Sequence, residues 1–351
     1  MACNTDDRKL SKQSTCWVGT NLGILKSVNI ENCNYENYFY SGETISTVDR
    51  NISIAKLIWG DTTNSLFVGL HNGLVREFDT NSRVFTRQCN VTDNKSELQG
   101  LHYYNNTIIS CTRAGRISAW PFDGDPLVIS TGNLSCMSGQ PNSLTVATGG
   151  EENDLKIWDF SMYKGEQTLP IFQSKNVRED KLCMRQPVYI TSVDYVPNSD
   201  YKILITGTGY NQIRQYDTRV QRRPVLDTRI GAFPITCVSA QEDFVIVANS
   251  VGTVQIYDFR KQSLRGNLKG STGSVRDVSY DRGYVGVCGI DRFTRIYTED
   301  RKLVNKVYTK LEQTSILLDP QGIERLMGKD TDEEVDELWD GIQPPAKRQK
   351  T

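Results

Sequence analysis

TVATGGEENDLKIWD, residues 145–159, is a short apolar run, a turn rich in Gly, Asn and acidic residues, and a second run that closes on Trp158 beside Asp159. The same plan recurs six more times, as WVGTNLGILKSVN (17–29), LFVGLHNGLVREFD (66–79), TIISCTRAGRISAWP (107–121), ILITGTGYNQIRQYD (203–217), VIVANSVGTVQIYD (245–258) and VGVCGIDRFTRIYT (285–298). The copies end at Asn29, Asp79, Pro121, Asp159, Asp217, Asp258 and Thr298, so successive ends lie 50, 42, 38, 58, 41 and 40 residues apart. Strand-like runs with a period of roughly 40 residues are the WD-repeat signature of a β-propeller. Repeats stack into one continuous core, so the 351 residues read as a single repeat domain. The expected organisation is a polar amino-terminal tail (1–14), an all-β, seven-bladed propeller (15–320), and a flexible, acidic then basic carboxy-terminal tail (321–351).

Each copy supplies two strands of a blade joined by a hairpin, with alternation that turns apolar side chains toward the neighbouring blades. The position before the terminal polar residue is Val28, Phe78, Trp120, Trp158, Tyr216, Tyr257 and Tyr297 in turn. Rings there have an apolar body to wedge between sheets, so packing explains them. Outer strands are expected at YFYSG, VFTRQC, PLVIST, TLPIFQ, PVLDTR, RGNLKG and NKVYTK, and inner strands at IAKLIWG, LQGLHYY, NLSCMS, ITSVDYV, ITCVSA and VRDVSYD. Too few residues precede Trp17 to give the first blade an inner strand. SILLD (315–319) supplies it from the far end of the chain, pairing with residues 16–21 and removing the open sheet edges.

Composition narrows the function classes. Hydrophobic residues make up 38% of the chain, no apolar stretch nears the roughly 20 residues that cross a bilayer, and MACNTDDRKLSKQSTC lacks the apolar centre of a secretory signal. Neither export nor membrane association is expected. Nine scattered cysteines with no CxxC pair read as reduced structural thiols. Only His71 and His102 are available for zinc sites or His-centred triads, and both read as structural. GTGYN (207–211) lacks the spacing and the following helix of a phosphate loop. No catalytic residue, metal or cofactor is expected.

TVATGGEENDLKIWDF, QSKNVREDKLCMRQPVYI (173–190) and TGYNQIRQYDTRVQRRPVL (208–226) together resemble one family. It is the WD repeat-containing protein 74 family, whose fungal counterparts are the Nsa one ribosome-assembly factors. The resemblance extends, in the same order, to VGTNLGILKSVN, GSVRDV (273–278), GIDRFTRIY (289–297) and DELW (336–339). It implies a non-enzymatic scaffold in the nucleus and nucleolus that binds precursors of the large (60S) ribosomal subunit and supports rRNA processing. The implied partners are pre-60S particle proteins and pre-rRNA, an AAA-class ATPase that releases or remodels the factor, and, in animals, the helicase of the RNA exosome. Outside the particle a monomer is expected. The competing readings are a WD adaptor of another complex, such as a ubiquitin-ligase substrate receptor, and a propeller hydrolase, for which the paucity of histidine leaves little material.

Candidate binding residues lie where the chain exceeds what blades require. The 58-residue step carries KNVREDKLCMRQP, with Lys175, Asn176, Arg178, Lys181 and Arg185 opposed by Glu179 and Asp180. Arg214, Arg222 and Arg223 follow, and Arg276 falls near the seventh copy; an arginine fork suits phosphates or carboxylates. Pro224 is expected to fix the chain while leaving Arg222 and Arg223 free to reach outward. Arg292 and Arg295 are expected to pair with Asp291 across a hairpin turn. A net charge of -1 gives no global attraction to RNA, so any nucleic-acid contact is a local patch. In the tail, DTDEEVDELWD (330–340) sets Val335, Leu338 and Trp339 on one helical face among seven acidic residues, a candidate docking motif. Lys347, Arg348 and Lys350 are candidates for nuclear targeting.

Overall fold

A computed structural model describes residues 14–40, 52–91, 96–122, 124–161, 169–179 and 182–328. The chain opens with β1 (Cys16–Thr20), β2 (Leu25–Asn29) and β3 (Asn34–Tyr38). The second blade takes β4 (Ile54–Trp59), β5 (Ser65–Leu70), β6 (Leu74–Asp79) and β7 (Val84–Asn90). The third takes β8 (Leu98–Tyr104), β9 (Thr107–Thr112), β10 (Arg116–Pro121) and β11 (Leu127–Ser130). The fourth takes β12 (Cys136–Gly139), β13 (Thr145–Gly150), β14 (Asn153–Asp159) and β15 (Phe172–Gln173). The fifth takes β16 (Ile190–Tyr195), β17 (Ile203–Thr208), β18 (Gln212–Asp217) and β19 (Leu226–Arg229). The sixth takes β20 (Ile235–Ala240), β21 (Phe244–Asn249), β22 (Val254–Asp258) and β23 (Ser263–Leu268). The seventh takes β24 (Val275–Asp281), β25 (Tyr284–Gly289), β26 (Phe293–Thr298) and β27 (Leu303–Tyr308). Last comes β28 (Gln313–Leu318), which hydrogen-bonds to β1 and completes the first sheet in the order β28-β1-β2-β3. The result is seven four-stranded antiparallel sheets in a ring, as the repeat spacing predicts.

Closure joins the expected segments, with the strand at Gln313–Leu318 where sequence places 315–319, laid along Cys16–Thr20 where sequence places 16–21. Cys16 faces Leu318, Trp17 faces Leu317, Val18 faces Ile316 and Gly19 faces Ser315, with a bulge before Thr20. The neighbouring blades hold this strand by side chains as well as by packing. Asp277 Oδ2 accepts from Ser315 Oγ (2.7 Å) and from the Ile316 N–H (3.2 Å), while Ser315 Oγ also accepts from the Leu57 N–H (3.3 Å). One aspartate of the seventh blade therefore fixes the first blade, and the first blade's serine reaches the second.

The blades pack closely because one strand position stays small. The residue one before the turn-proximal end of the second strand in each blade is Gly19, Gly69, Cys111, Gly149, Gly207, Ala248 or Cys288. A Cβ on Gly207 would stand 2.6 Å from Ile235 Cγ2 in the next blade, and one on Gly19 would stand 2.6 Å from Ile54 Cγ2. Two of the nine cysteines thus occupy a slot that admits little more than a methyl group. Burial pushes the Cys111 thiol far above its usual range, and likewise that of Cys288. Inert core thiols result. Each interface between blades is a compact apolar cluster, such as Val238, Val247, Ile205, Ile213 and Ile235 between the fifth and sixth.

Four expected boundaries move. The first outer strand is NYENY at Asn34–Tyr38, not YFYSG, because Tyr35 packs on the core and lies under the Lys26 ammonium (4.3 Å from Nζ to the ring centroid). The fourth blade's outer strand shrinks to Phe172–Gln173. Residues 320–328 form α1, the single helix among the described residues, where sequence ends the propeller at 320 and begins a flexible tail at 321. Asp319 caps it: its Oδ1 accepts from the Gln321 N–H (3.1 Å) and its carbonyl from the Ile323 N–H (2.9 Å), with Pro320 in the first turn, where a missing N–H costs nothing. Ile323 and Leu326, both buried, share one face and join the cluster around Cys16, Ile316 and Leu318. Ser14, expected in the amino-terminal tail, is buried too: its Oγ donates to Asp319 Oδ2 (2.7 Å), and its carbonyl accepts from Arg325 Nη2 (2.9 Å). The segment before β1 and the helix after β28 are thereby joined.

Truncation after Gly328 should leave the thermal melting midpoint unchanged, whereas truncation after Glu312 should abolish the cooperative transition. Within the closing strand, Ile316→Ala should cost about 2–5 kcal/mol in denaturant unfolding. Equal melting of the two truncations would remove β28 from its closing role.

Candidate functional site

The long insertion between the fourth and fifth blades is pinned at both ends. After β15 the Ser174 N–H donates to the Leu155 carbonyl (2.9 Å) and the Lys175 N–H to the Arg222 carbonyl (2.8 Å). At the far end the Glu152 N–H donates to the Val188 carbonyl (2.9 Å), the Val188 N–H donates back to Glu152 Oε1 (3.3 Å), and Arg185 Nη2 lies 3.1 Å from Glu152 Oε2. Asn176 clamps the middle: its Nδ2 donates to the Gln186 carbonyl (2.6 Å), and its Oδ1 accepts from its neighbour's Val177 N–H (2.8 Å) and from Arg214 Nη1 (3.4 Å). These contacts tie the described parts of the insertion to the fourth and fifth blades. The insertion frames a groove of about 570 Å³ lined by Lys175, Val177, Arg178, Glu179, Cys183, Arg185 and Arg223 together with Asn176.

The structure sorts the arginines that sequence grouped together. Arg214, 1% exposed, is not available to a partner: its Nη2 donates to Gln212 Oε1 (3.0 Å), and its Nε lies 3.6 Å from Asp227 Oδ1. It supports the loop from beneath through Asn176. A repeat-wide signal marks this position, since the residue two before the terminal ring is Lys26, Arg76, Ser118, Lys156, Arg214, Gln255 or Arg295. Lys26, Arg76, Arg214 and Arg295 are all buried, so a long polar side chain there belongs to the blade. Arg222 is not free either; its Nε donates to the Gln173 carbonyl (2.6 Å), capping the short fourth outer strand. Arg223 turns into the groove instead. Lys175, Arg178 and Arg223 are exposed and have no side-chain partner among the described residues. Arg276, also exposed, lies at the central channel, away from the groove. Arg295 pairs with Asp291 (2.6 Å), whereas Arg292 extends into solvent from a left-handed turn at φ 66°. Lys181 and the tail candidates Leu338, Trp339, Lys347, Arg348 and Lys350 lie outside the described residues.

The central channel, about 290 Å³, is lined by hydroxyls and small apolar residues in similar number, with a few charges. Its polar groups are engaged in joining blades. Lys56 Nζ meets Asp277 Oδ1 at 2.9 Å, and this carboxylate holds the lysine's pKa up against burial, which lowers it. Ser192 Oγ accepts from the Val238 N–H (3.1 Å) and Ser279 Oγ from the Leu318 N–H (3.3 Å), each across a blade boundary. Asp194 bridges three blades, accepting from Ser138 Oγ (3.3 Å), the Tyr195 N–H (3.0 Å) and the Ala240 N–H (2.8 Å). Loss of hydration outweighs those bonds and raises its pKa to about 6. His102 lies flat against Gly139, where a Cβ would stand 2.0 Å from its Nδ1, and its Nε2 contacts the Ser143 carbonyl at 2.9 Å. Burial lowers the pKa of His102 and of His71, in the turn after β5, which keeps both neutral. This chemistry suits a rigid frame with an electropositive groove on its rim.

Comparison with known proteins agrees with that frame. Residues 124–159 match the family "WD domain, G-beta repeat", a span that runs from just before β11 to the end of β14. Over 359 aligned positions the chain is 34% identical to WD repeat-containing protein 74 of Bos taurus, covering 95% of this chain and 90% of that protein. The human protein of the same name is 33% identical over the same shares. Ribosome biogenesis protein NSA1 of Meyerozyma guilliermondii is 31% identical across 58% of this chain and 60% of its own length. The chain belongs to the WD repeat-containing protein 74 family.

Arg214→Ala should lower unfolding free energy by about 2–4 kcal/mol, since it leaves a cavity and strips Asn176 and Asp227 of a cation. Arg223→Ala should stay within about 0.5 kcal/mol of the parent. Similar denaturation midpoints for the two would contradict the assignment of Arg214 to the fold. Asp194 makes a pH prediction. Its folded pKa, about 6, lies above the ordinary 3.8, so the stability it contributes is complete below about pH 4 and lost as pH rises through 6. Asp194→Asn should therefore gain on the parent between pH 4 and 7 in denaturant titrations; a pH-independent offset would refute this.

Proposed function

We propose that this chain is a non-enzymatic scaffold of ribosome biogenesis that binds precursors of the 60S subunit in the nucleolus and supports rRNA processing. Its relatives support the reading by family, the fungal ones being described as ribosome biogenesis proteins. The observation that carries it for this molecule is the groove. Lys175 and Arg178 stand on an insertion that the propeller does not need, Arg223 joins them from the connection between β18 and β19, and none of the three has a side-chain partner among the described residues, while hydrogen bonds hold the described parts of the insertion to both blades. A site ordered before binding loses little entropy on association, which suits a docking surface on a large particle. The resemblance carries the rest of the proposal: an AAA-class ATPase releases or remodels the bound factor, and the tail beyond α1 takes part in recruitment.

Nuclear extract on a sucrose gradient tests this. The chain should travel with large-subunit precursor RNA, and depletion of the protein should change the processing pattern of that RNA. Migration with a different assembly, free of rRNA, would replace the ribosomal reading with that of an adaptor in another complex.

A further inference from the structure

Resting on the scaffold reading, we infer that the groove between the fourth and fifth blades receives an acidic protein segment with aliphatic or aromatic anchors, and not an RNA backbone. Two observations combine here. The first is charge: Lys175, Arg178 and Arg223 face the groove without side-chain partners among the described residues, Glu152 already holds Arg185, and Glu179 is the one acid among the described lining residues. The second is an apolar rim. Ile171 is 64% exposed, Val220 69% and Val225 51%, while Leu182 and Met184 on either side of Cys183 are 76% and 57% exposed.

The rim and the cations belong to one surface because the backbone ties them together. Arg222 donates from Nε to the Gln173 carbonyl and accepts at its own carbonyl from the Lys175 N–H, so the segment from Val220 to Val225 runs against the segment from Ile171 to Lys175. Ile171 is set in place by its N–H, which donates to the Ile157 carbonyl (2.9 Å), and Val225 by its N–H to the Gln215 carbonyl (2.7 Å). Both side chains are therefore presented from hydrogen-bonded backbone.

The choice of partner follows from what each would leave uncovered. A phosphodiester chain would neutralise the cations but leave the aliphatic rim in water. Sites for single-stranded RNA also use ring faces on which bases stack, and the groove lining has none. An acidic peptide carrying apolar side chains covers both halves, combining an arginine cluster for its carboxylates with exposed apolar area for its anchors. The net charge of -1 agrees, since it gives no long-range pull on RNA.

The test pans a phage library of random dodecapeptides against the full chain, and measures binding of one enriched peptide and of a uridine oligonucleotide by fluorescence anisotropy. Acidic peptides with aliphatic or aromatic anchors should be enriched. Their affinity should fall about tenfold or more in the Arg178→Glu, Arg223→Glu double variant and several-fold in Ile171→Ser, Val220→Ser. Both variants alter exposed side chains and should melt like the parent. Absence of enrichment, enrichment of purely acidic peptides indifferent to the loss of Ile171 and Val220, or groove-dependent binding of the oligonucleotide alone would each overturn the inference. The gradient experiment is independent: persistent co-sedimentation with precursor RNA alongside a failed selection would remove this partner and keep the scaffold.

Discussion

Everything in this molecule depends on the antiparallel pairing of β28 with β1. Seven wedge-shaped sheets leave two open faces until the last one joins the first, and here the join is a strand from residues 313–318 laid along residues 16–20. Asp277 makes that join specific. It takes hydrogen bonds from Ser315 and the Ile316 N–H while facing Lys56 of the second blade, so three blades share one carboxylate. Slippage of β28 by one residue would move Ile316 and Leu318 out of their cluster and leave Asp277 without its donors.

The rest of the ring uses the same economy of contact. A small residue at one position of every second strand lets the next blade's inner strand approach, and cysteines fill that position twice. Hydroxyls and carboxylates of the inner strands bond to the backbone of the neighbouring blade, which makes the channel a seam. With core and channel committed to holding the ring, surface left for partners lies on the connections. The longest of these, between the fourth and fifth blades, is anchored to both of them by hydrogen bonds. Rigidity of the frame and availability of the groove are therefore two results of one division of labour.

The hairpins were legible because their strands are buried on both sides, so apolar alternation and terminal rings mark them. The closing strand was legible from a mismatch, seven hairpins against six inner-strand candidates between them, which left the apolar run SILLD to supply the seventh. Outer strands were harder: NYENY pairs on one side only and carries just two rings, so the aromatic run YFY beside it drew the assignment four residues too far along. Helix α1 left a readable signal in Asp319-Pro320 followed by Ile323 and Leu326, but two apolar side chains are a faint periodicity beside a charged tail. Among the arginines, Arg214 could have been set aside by comparing the seven copies at its position. Arg222 and Arg223 could not be separated by sequence, since one meets the Gln173 carbonyl and the other the groove only through the way the fifth blade turns against the fourth.

The central claim is that a closed, rigid ring presents the groove between its fourth and fifth blades to a protein of the maturing large subunit. A photocrosslinking amino acid in place of Cys183, on the groove wall, tests it within purified precursor particles. A control in place of Leu303, an exposed residue on the outer strand of the seventh blade, reports on the far rim. The account predicts a discrete crosslink from position 183 to one particle protein and little from position 303. Crosslinks from position 303 alone, with position 183 open to solvent, would contradict it.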